Sequence, residues 1–252
     1  MRRFIPSAVL IALLILTWEA MVRLLQIPKF ILPAPSRVAE ALYNTADLLL
    51  EHSTQTLTEA LLGFFLAIMV GVVLALLMDL LPGLKNALYP LLVISQTIPI
   101  IAIAPLLVIW LGYEMLPKVA VVALVCFFPV TVSLSQGLDS ADQDLQRLLL
   151  GMGATPWQIL KIVKFPGAMP SFFAGLKIAA TYSIMGAVIG EWLGASKGLG
   201  IYMTRSMHSF LTERVFAVIV VISILSLILF VIIEVLGRFL MPWNYGDNVN
   251  RE

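Results

Sequence analysis

Ionisable side chains inside apolar stretches are the first residues of this sequence that could do chemistry. Lys177 and Glu191 both lie in an otherwise apolar run at residues 171–193. Charged groups are costly inside a membrane and usually mark a transport path or an ion pair. Lys177 either faces the mouth of such a path or a neighbouring helix, or extends its amine back to the lipid headgroups. Glu191 either lines a vestibule or pairs with a cation at the membrane surface.

A second group of polar residues interrupts an apolar run at residues 86–113. Ser95, Gln96 and Thr97 are followed by Pro99, which cannot donate a backbone hydrogen bond. Their side chains could bind a transported solute. The alternative is that they satisfy the backbone carbonyls that Pro99 leaves without a partner.

The polar segment at residues 139–170 predicts two short helices joined by a turn. The first opens at Asp139-Ser140 and carries Asp142 and Asp144 in its first turn, where the helix dipole favours anions. Gly153 ends it, as glycine commonly does just past a helix. One face of this helix is apolar, with helical spacing between Leu145, Leu148, Leu149 and Met152.

The second helix of this hairpin has a specific start signal. Thr155 at the N-cap and Gln158 three residues later form a capping box, and Pro156 takes the tolerated first position. We expect this helix to end before Pro166. The predicted hairpin is more elaborate than a simple connection requires.

Two functions are compatible with such a hairpin. It could rest on the lipid headgroups, anchored by Trp157, Lys161 and Lys164. It could instead dock a soluble partner, with an amphipathic helix lying in a groove of that partner.

Other chemistries find little support. Cys126 is the sole cysteine, and His52 and His208 are far apart and read as ordinary interfacial residues, so we predict no metal site and no cofactor. No paired acids or activated nucleophile indicate an intramembrane enzyme. The Gly-x-x-x-x-Gly-Lys-Ser/Thr phosphate loop does not occur, so the chain cannot bind ATP in that way. A net charge of +1 argues against a nucleic-acid partner.

Composition assigns these residues to a polytopic membrane protein. The 252 residues are 60% hydrophobic and only 12% charged, and the mean hydropathy is +0.99. A spanning helix needs about 20 apolar residues, so we predict an all-α fold with six transmembrane helices in a single domain, residues 1–252, in a lipid bilayer. The apolar windows lie at residues 5–25, 57–80, 86–113, 119–138, 171–193 and 215–236.

Charge alone orients these spans weakly. Lys and Arg are divided almost evenly between the two sides, and Arg2 and Arg3 before the first span favour both termini in the cytoplasm.

The hairpin resembles the EAA motif of permease subunits of bacterial binding-protein-dependent ABC importers. The spacing from Gly153 to Val163-Lys164-Phe165-Pro166 fits that motif, whereas Arg147-Leu148-Leu149 stand where the family has Glu-Ala-Ala. The effect of that departure is open. The nitrate, sulfonate and taurine branch is also similar at residues 32–36, 153–158, 166–170, 175–177 and 190–195.

This resemblance implies a type I importer permease, with its core at about residues 57–240, that is not itself an enzyme. It implies a homodimer of two permease copies, a separate ATP-binding subunit docked on the cytoplasmic hairpin, and a periplasmic or lipid-anchored solute-binding protein outside the inner membrane. Closure of the ATPase would then tilt the fourth and fifth spans. The implied ATPase-coupling residues are Gly153, Ala154, Thr155, Pro156, Trp157, Gln158, Lys161, Lys164 and Pro166.

The resemblance narrows the substrate only in part. Members of this branch import nitrate, sulfonates, taurine, and precursors of thiamine or riboflavin. Residues 175–183 and 190–192 look most like members that carry a thiamine pyrimidine precursor. The competing interpretation, a stand-alone secondary transporter or channel, would require midplane charges or repeated broken helices.

Overall fold

The computed structural model describes residues 5–243, and all regular structure in that part of the chain is helical. Arg2 and Arg3, used for the predicted orientation, lie outside the described residues. A π-helical turn at Leu160–Lys164 joins the eighth helix to the ninth. The α-helices are α1 (Ile5–Leu24), α2 (Pro35–Asn44), α3 (Ala46–Leu80), α4 (Pro82–Ser95), α5 (Ile100–Leu111), α6 (Met115–Asp139), α7 (Gln143–Gly151), α8 (Pro156–Ile159), α9 (Phe165–Glu191), α10 (Leu199–His208) and α11 (Thr212–Leu240).

Within residues 5–243, five helical stretches are long and apolar enough to cross a membrane. They are α1, α3, α6, α11 and the combined stretch Pro156–Glu191. They coincide with five of the six apolar windows and confirm the all-α prediction. α3 begins at Ala46, well before the predicted start near residue 57, because hydropathy detects only the apolar part of a longer helix. Its polar first turns are packed into the protein, where Leu49 and His52 are buried.

The third apolar window forms a bent pair of helices and not one straight span. α4 and α5 meet at 99° across the break between Ser95 and Ile100. Pro99 causes the break, since proline disfavours helical geometry in the residue before it and acts here as the N-cap of α5. Counted as one span, the pair brings the total among the described residues to six.

α9 lies at the centre of the bundle. It packs most extensively on α6, and also contacts α11 and α3. Gly175 permits the closest approach, because a Cβ there would lie 2.6 Å from the backbone oxygen of Pro129 in α6. Small residues of α9 also lie in the core of the chain, where Ala179, Ala180 and Ala187 are fully buried.

The two ends of the bundle differ in structure. We call the end that carries residues 139–170 the hairpin end. The connection between α9 and α10, residues 192–198, lies at the opposite end of α9, which we call the far end.

Candidate functional site

The hairpin begins with a well-capped first helix. Asp142 is the N-cap of α7, and its Oδ1 accepts hydrogen bonds from the backbone N–H of Asp144 (2.8 Å) and Leu145 (3.1 Å). α6 continues to Asp139, so the first helix starts about one turn later than predicted. Gly153 follows α7 with φ +84°, a conformation that glycine adopts without strain. The predicted stop at Gly153 is therefore confirmed.

The capping box of the second helix is present as predicted. The backbone N–H of Thr155 donates to Gln158 Oε1 at 2.7 Å, and the N–H of Gln158 donates to Thr155 Oγ1 at 3.4 Å. Pro156 takes the first helical position. These bonds fix the point at which the chain turns back toward the bundle.

The predicted end of the second helix before Pro166 is wrong. α8 runs through the π-turn into α9, giving one helical stretch over Pro156–Glu191 that contains both Pro166 and Pro170. Pro166 lies in the first turn of α9, directly after the π-turn. In a π-turn the backbone hydrogen bonds span five residues in place of four. The regular helical hydrogen bonds are therefore already interrupted there, and a proline without an N–H is tolerated. The hairpin is therefore rigidly continuous with a membrane span.

The tip of the hairpin exposes apolar and cationic side chains. Trp157 is 60% exposed, Ile162 is 60% exposed, and Lys161 is also exposed. The predicted apolar face of the first hairpin helix is largely uncovered as well, since Leu145, Leu148 and Met152 are exposed and Leu149 is partly buried. Apolar patches of this kind mark surfaces for a partner or a membrane.

Lys164 differs from Lys161 in its surroundings. Its Nζ lies 2.8 Å from Oδ1 of Asp79 at the end of α3, and the Asp79 side chain is only 7% exposed. A half-buried pair of this kind ties the π-turn to α3. Nearby, Lys85 pairs with Asp139 and so joins the start of α4 to the end of α6.

Three positions were open for Lys177: the mouth of a path, a neighbouring helix, or an amine extended to the lipid headgroups. In the structure Lys177 contacts a neighbouring helix. Its Nζ lies 2.7 Å from Oε2 of Glu234 in α11 and 5.8 Å from the ring centre of Phe230. Glu234 also binds Arg238, at 3.2 Å. These contacts link α9 to α11 near the hairpin end.

A groove of about 720 Å³ lies where the bent pair meets α6 and α9. Ser95 and Gln96 line it, whereas Thr97 does not. Oγ of Ser95 donates to the carbonyl of Leu92 (2.7 Å) and Oγ1 of Thr97 to that of Ile94 (2.8 Å), each within its own helical turn. Neither is the carbonyl four residues before Pro99, so the choice between a solute-binding and a structural role stays a prediction. Among the described residues that line the groove none is charged, and its larger side chains include Phe127, Phe128, Tyr182 and Met185.

Glu191 lies in a buried polar cluster at the far end. Its side chain is fully buried, Oε1 accepts from Thr56 Oγ1 at 2.6 Å, and Oε2 accepts from the backbone N–H of Gly200. Glu59, also fully buried, lies 3.4 Å from Nζ of Lys118 and accepts from Gln55 at 2.7 Å. This cluster joins α3, α6 and α9 to α10.

Sequence reasoning missed most of that cluster. The interpretation of His52 as an ordinary interfacial residue is wrong, since it is 8% exposed and its Nδ1 accepts from the backbone N–H of Gly198 at 2.9 Å. A signal was available, since His52, Thr56 and Glu59 are spaced as neighbours on one face of a helix. Lys118 gave no such signal, because its partner Glu59 is 59 positions away and Lys118 lies at the edge of the apolar window at residues 119–138.

The sequence is similar to that of known transport proteins. The family model described as "Binding-protein-dependent transport system inner membrane component" matches residues 63–242. The chain is 40% identical to the formylaminopyrimidine transport permease of Halalkalibacterium halodurans, over 92% of each protein. It is 34% identical to the riboflavin transport system permease of Chloroflexus aurantiacus (93% of this chain, 88% of that protein). It is 32% identical to the taurine transport system permease of Escherichia coli (93% and 88%).

Solved structures agree on the fold. A chain of the inward-facing MetNI methionine ABC transporter superposes with a TM-score of 0.63 at 16% identity, covering 76% of this chain and 97% of that one. A chain of an amino acid ABC transporter gives a TM-score of 0.62 at 15% identity, covering 80% and 96%.

Proposed function

Since the chain belongs to the family of binding-protein-dependent transport system inner membrane components, we propose that it carries a small organic solute, such as a thiamine pyrimidine precursor, across a bacterial inner membrane. It is the permease subunit of an ABC importer and a transport subunit without ATPase activity of its own, because ATP hydrolysis in this family belongs to a separate subunit. We treat residues 1–252 as one transmembrane domain with its core at about residues 57–240.

The hairpin is the proposed site of coupling to the ATPase. The observation that carries this proposal is the exposed tip around Trp157, which is continuous with a membrane span through the stretch Pro156–Glu191. A force applied to the tip would therefore reach α9 directly. The proposed contact residues are Gly153, Ala154, Thr155, Pro156, Trp157, Gln158 and Lys161, while Lys164 and Pro166 join the tip to the bundle.

The orientation follows from this role. The hairpin end faces the cytoplasm, together with both termini, and the far end faces the solute-binding protein. This family membership implies an ATPase and a solute-binding protein as partners; a second copy of the permease is our further proposal. The groove beside α9 supports this proposal, because a single chain leaves the groove open on one side, where a second copy could close it.

The translocation path is proposed to run along this groove. Gln96 is its leading polar candidate, since it is exposed at the bend between α4 and α5, whereas Ser95 and Thr97 donate to nearby carbonyls. Lys177 would stand at the cytoplasmic mouth. Glu191 would act indirectly at the outer end of the path, by holding α3 and α10 against α9.

The substrate is proposed from two observations. Relatives at 40% and 34% identity are named for formylaminopyrimidine and riboflavin, both uncharged heteroaromatic compounds. The uncharged groove with its aromatic rings suits such a ring better than a sulfonate, which would favour a cationic lining. Taurine, other sulfonates and nitrate are the alternatives.

Uptake by the complete importer tests this assignment. The permease, its ATPase and its solute-binding protein would be reconstituted in liposomes that contain ATP. We expect accumulation of a labelled aminopyrimidine, and an excess of unlabelled taurine should not compete. Uptake of taurine but not of the pyrimidine would overturn the substrate, and uptake that proceeds without the ATPase would overturn the function.

A further inference from the structure

The N-terminus of α10 is held by side chains from two membrane spans. The backbone N–H of Gly198 donates to His52 Nδ1 (2.9 Å), that of Leu199 to Thr56 Oγ1 (2.8 Å), and that of Gly200 to Glu191 Oε2. His52 and Thr56 belong to α3 and Glu191 to α9. Accepting the function proposed above, we infer that these three side chains, the α10 latch, transmit the arrival of the solute-binding protein at the far end to the ATPase at the hairpin end.

Tertiary contacts replace the usual local cap in this helix. The first N–H groups of a helix have no partner inside it, and a Ser, Thr, Asp or Asn at the N-cap normally accepts from one of them. Gly198 occupies the N-cap of α10 with φ +128° and offers no side chain. The position of α10 therefore depends on α3 and α9, and any shift between those two spans must alter the three bonds.

Close contact leaves little freedom in this arrangement. A Cβ at Gly198 would overlap the carboxyl group of Glu191, and one at Gly200 would lie 2.6 Å from the backbone oxygen of Val188. The three accepting side chains are also buried, with Thr56 and Glu191 fully enclosed and His52 8% exposed. The three N–H groups therefore bond to acceptors that are shielded from solvent in this arrangement.

One helical stretch joins the latch to the hairpin. Pro156–Glu191 has 36 residues, or about 54 Å at the usual rise of about 1.5 Å per residue. The hydrocarbon core of a bilayer is about 30 Å thick. Trp157 at one end of the stretch and Glu191 at the other therefore lie on opposite sides of the bilayer. A tilt of the stretch displaces both residues.

A buried ion pair stiffens the far end of the bundle next to the latch. Nζ of Lys118 in α6 lies 3.4 Å from Oε1 of Glu59, which is one turn along α3 from Thr56. Both side chains are almost completely buried, so the pair is shielded from solvent. α3 and α6 are thereby held together one turn from Thr56, so a tilt of α9 moves Glu191 relative to His52 and Thr56.

The decisive experiment replaces the hydroxyl of Thr56 in the complete importer. Thr56→Val keeps the shape of the side chain but removes the hydroxyl that accepts from the N–H of Leu199 and contacts Glu191 Oε1 and the carbonyl of His52. Thr56→Ser keeps the hydroxyl. Thr58→Val is the matched control, since Thr58 is exposed on the same helix and its hydroxyl, within residues 5–243, donates to the carbonyl of Thr54 alone. ATP hydrolysis would be measured in nanodiscs over a range of solute-binding protein concentrations.

We expect Thr56→Val to reduce the maximal stimulation by the binding protein about fivefold, the size expected for the loss of the one buried hydrogen bond that Thr56 makes to α10, from the N–H of Leu199. Basal hydrolysis should not change, and Thr56→Ser and Thr58→Val should behave like the wild type. Full stimulation of Thr56→Val, or an equal loss of basal and stimulated hydrolysis, would overturn the latch. A wild type that the binding protein does not stimulate would instead contradict the proposed function.

A distance measurement covers the case in which Thr56→Val does not assemble. Spin labels would be placed by Met207→Cys on α10 and Tyr43→Cys on α2, both exposed positions, while native Cys126 is fully buried and protected from the label. We expect a non-hydrolysable ATP analogue to change the distance between the labels in the complex. An unchanged distance would show that α10 does not follow the ATPase.

Discussion

At the scale of single residues, the buried charges of the far end depend on one another. Glu59 is fully buried, and Lys118, at 6% exposure, is the cation that pairs with it. A buried charge is tolerated when it is paired, and removal of one partner leaves the other without compensation. The arrangement is therefore sensitive to single substitutions.

We predict that Lys118→Met destabilises the protein by about 3–5 kcal/mol, the range for breaking a buried pair. Thermal unfolding of the purified permease in detergent would measure the loss. Arg37→Met provides the control, because Arg37 pairs with Glu40 at an exposed site and such pairs contribute little. Equal melting temperatures for the two variants would show that Lys118 does not neutralise the cluster.

At the scale of elements, the hairpin depends on a turn that only certain residues can make. Gly151 and Gly153 both border open space, since a Cβ added at either position would meet no atom within 4 Å, but only Gly153 has a positive φ. Gly151 is the last helical residue of α7. An alanine at either position would meet no steric contact, so a difference between the two alanine variants would report the backbone strain at Gly153.

Gly153→Ala should strain the turn by about 1 kcal/mol, whereas Gly151→Ala should be neutral or slightly stabilising, since alanine favours helix over glycine by up to about 1 kcal/mol. We expect weaker binding of the ATPase subunit by the Gly153→Ala permease alone, measured by co-purification over a dilution series. If both alanine variants retain the ATPase equally, the turn geometry is not needed for docking.

The π-turn at Leu160–Lys164 is the element that sequence patterns did not reveal. Pro166 is a standard signal for a helix end, and it predicts a stop for the second hairpin helix. Lys164, held by Asp79, and Leu160, buried at 2% exposure, fix the turn against α3 and α6. Contacts with other spans thus override the local preference of the proline.

At the scale of the whole molecule, the proposed function depends on which end of the bundle faces the cytoplasm. The hairpin must face the ATPase, and α10 must face the opposite side. Trp157 is 60% exposed at the hairpin end and Phe210 is 74% exposed at the far end, so each provides a reporter for its own side.

We predict that Trp157→Cys reacts with a membrane-impermeant maleimide in inside-out vesicles and that Phe210→Cys reacts in right-side-out vesicles. The wild type is the control, because its single cysteine, Cys126, is fully buried. Labelling of Trp157→Cys from outside the cell would place the hairpin away from the cytoplasmic ATPase and refute its coupling role.

The sequence by itself determined the class of protein, five of the apolar windows, the capping box at Thr155, the stop at Gly153 and the family. These features depend on composition or on residues within a few positions of each other, where hydropathy and local hydrogen bonding act directly. The family match over residues 63–242 confirms the resemblance drawn from those motifs.

Only the tertiary structure decided the 99° angle of the bent pair, the continuity of Pro156–Glu191 and the partners of Glu191. The reason is physical: Thr56 and Glu191 are separated by 135 positions along the chain. Such contacts arise from the packing of whole helices, and the periodicity of one helix does not specify which neighbour will receive its polar groups.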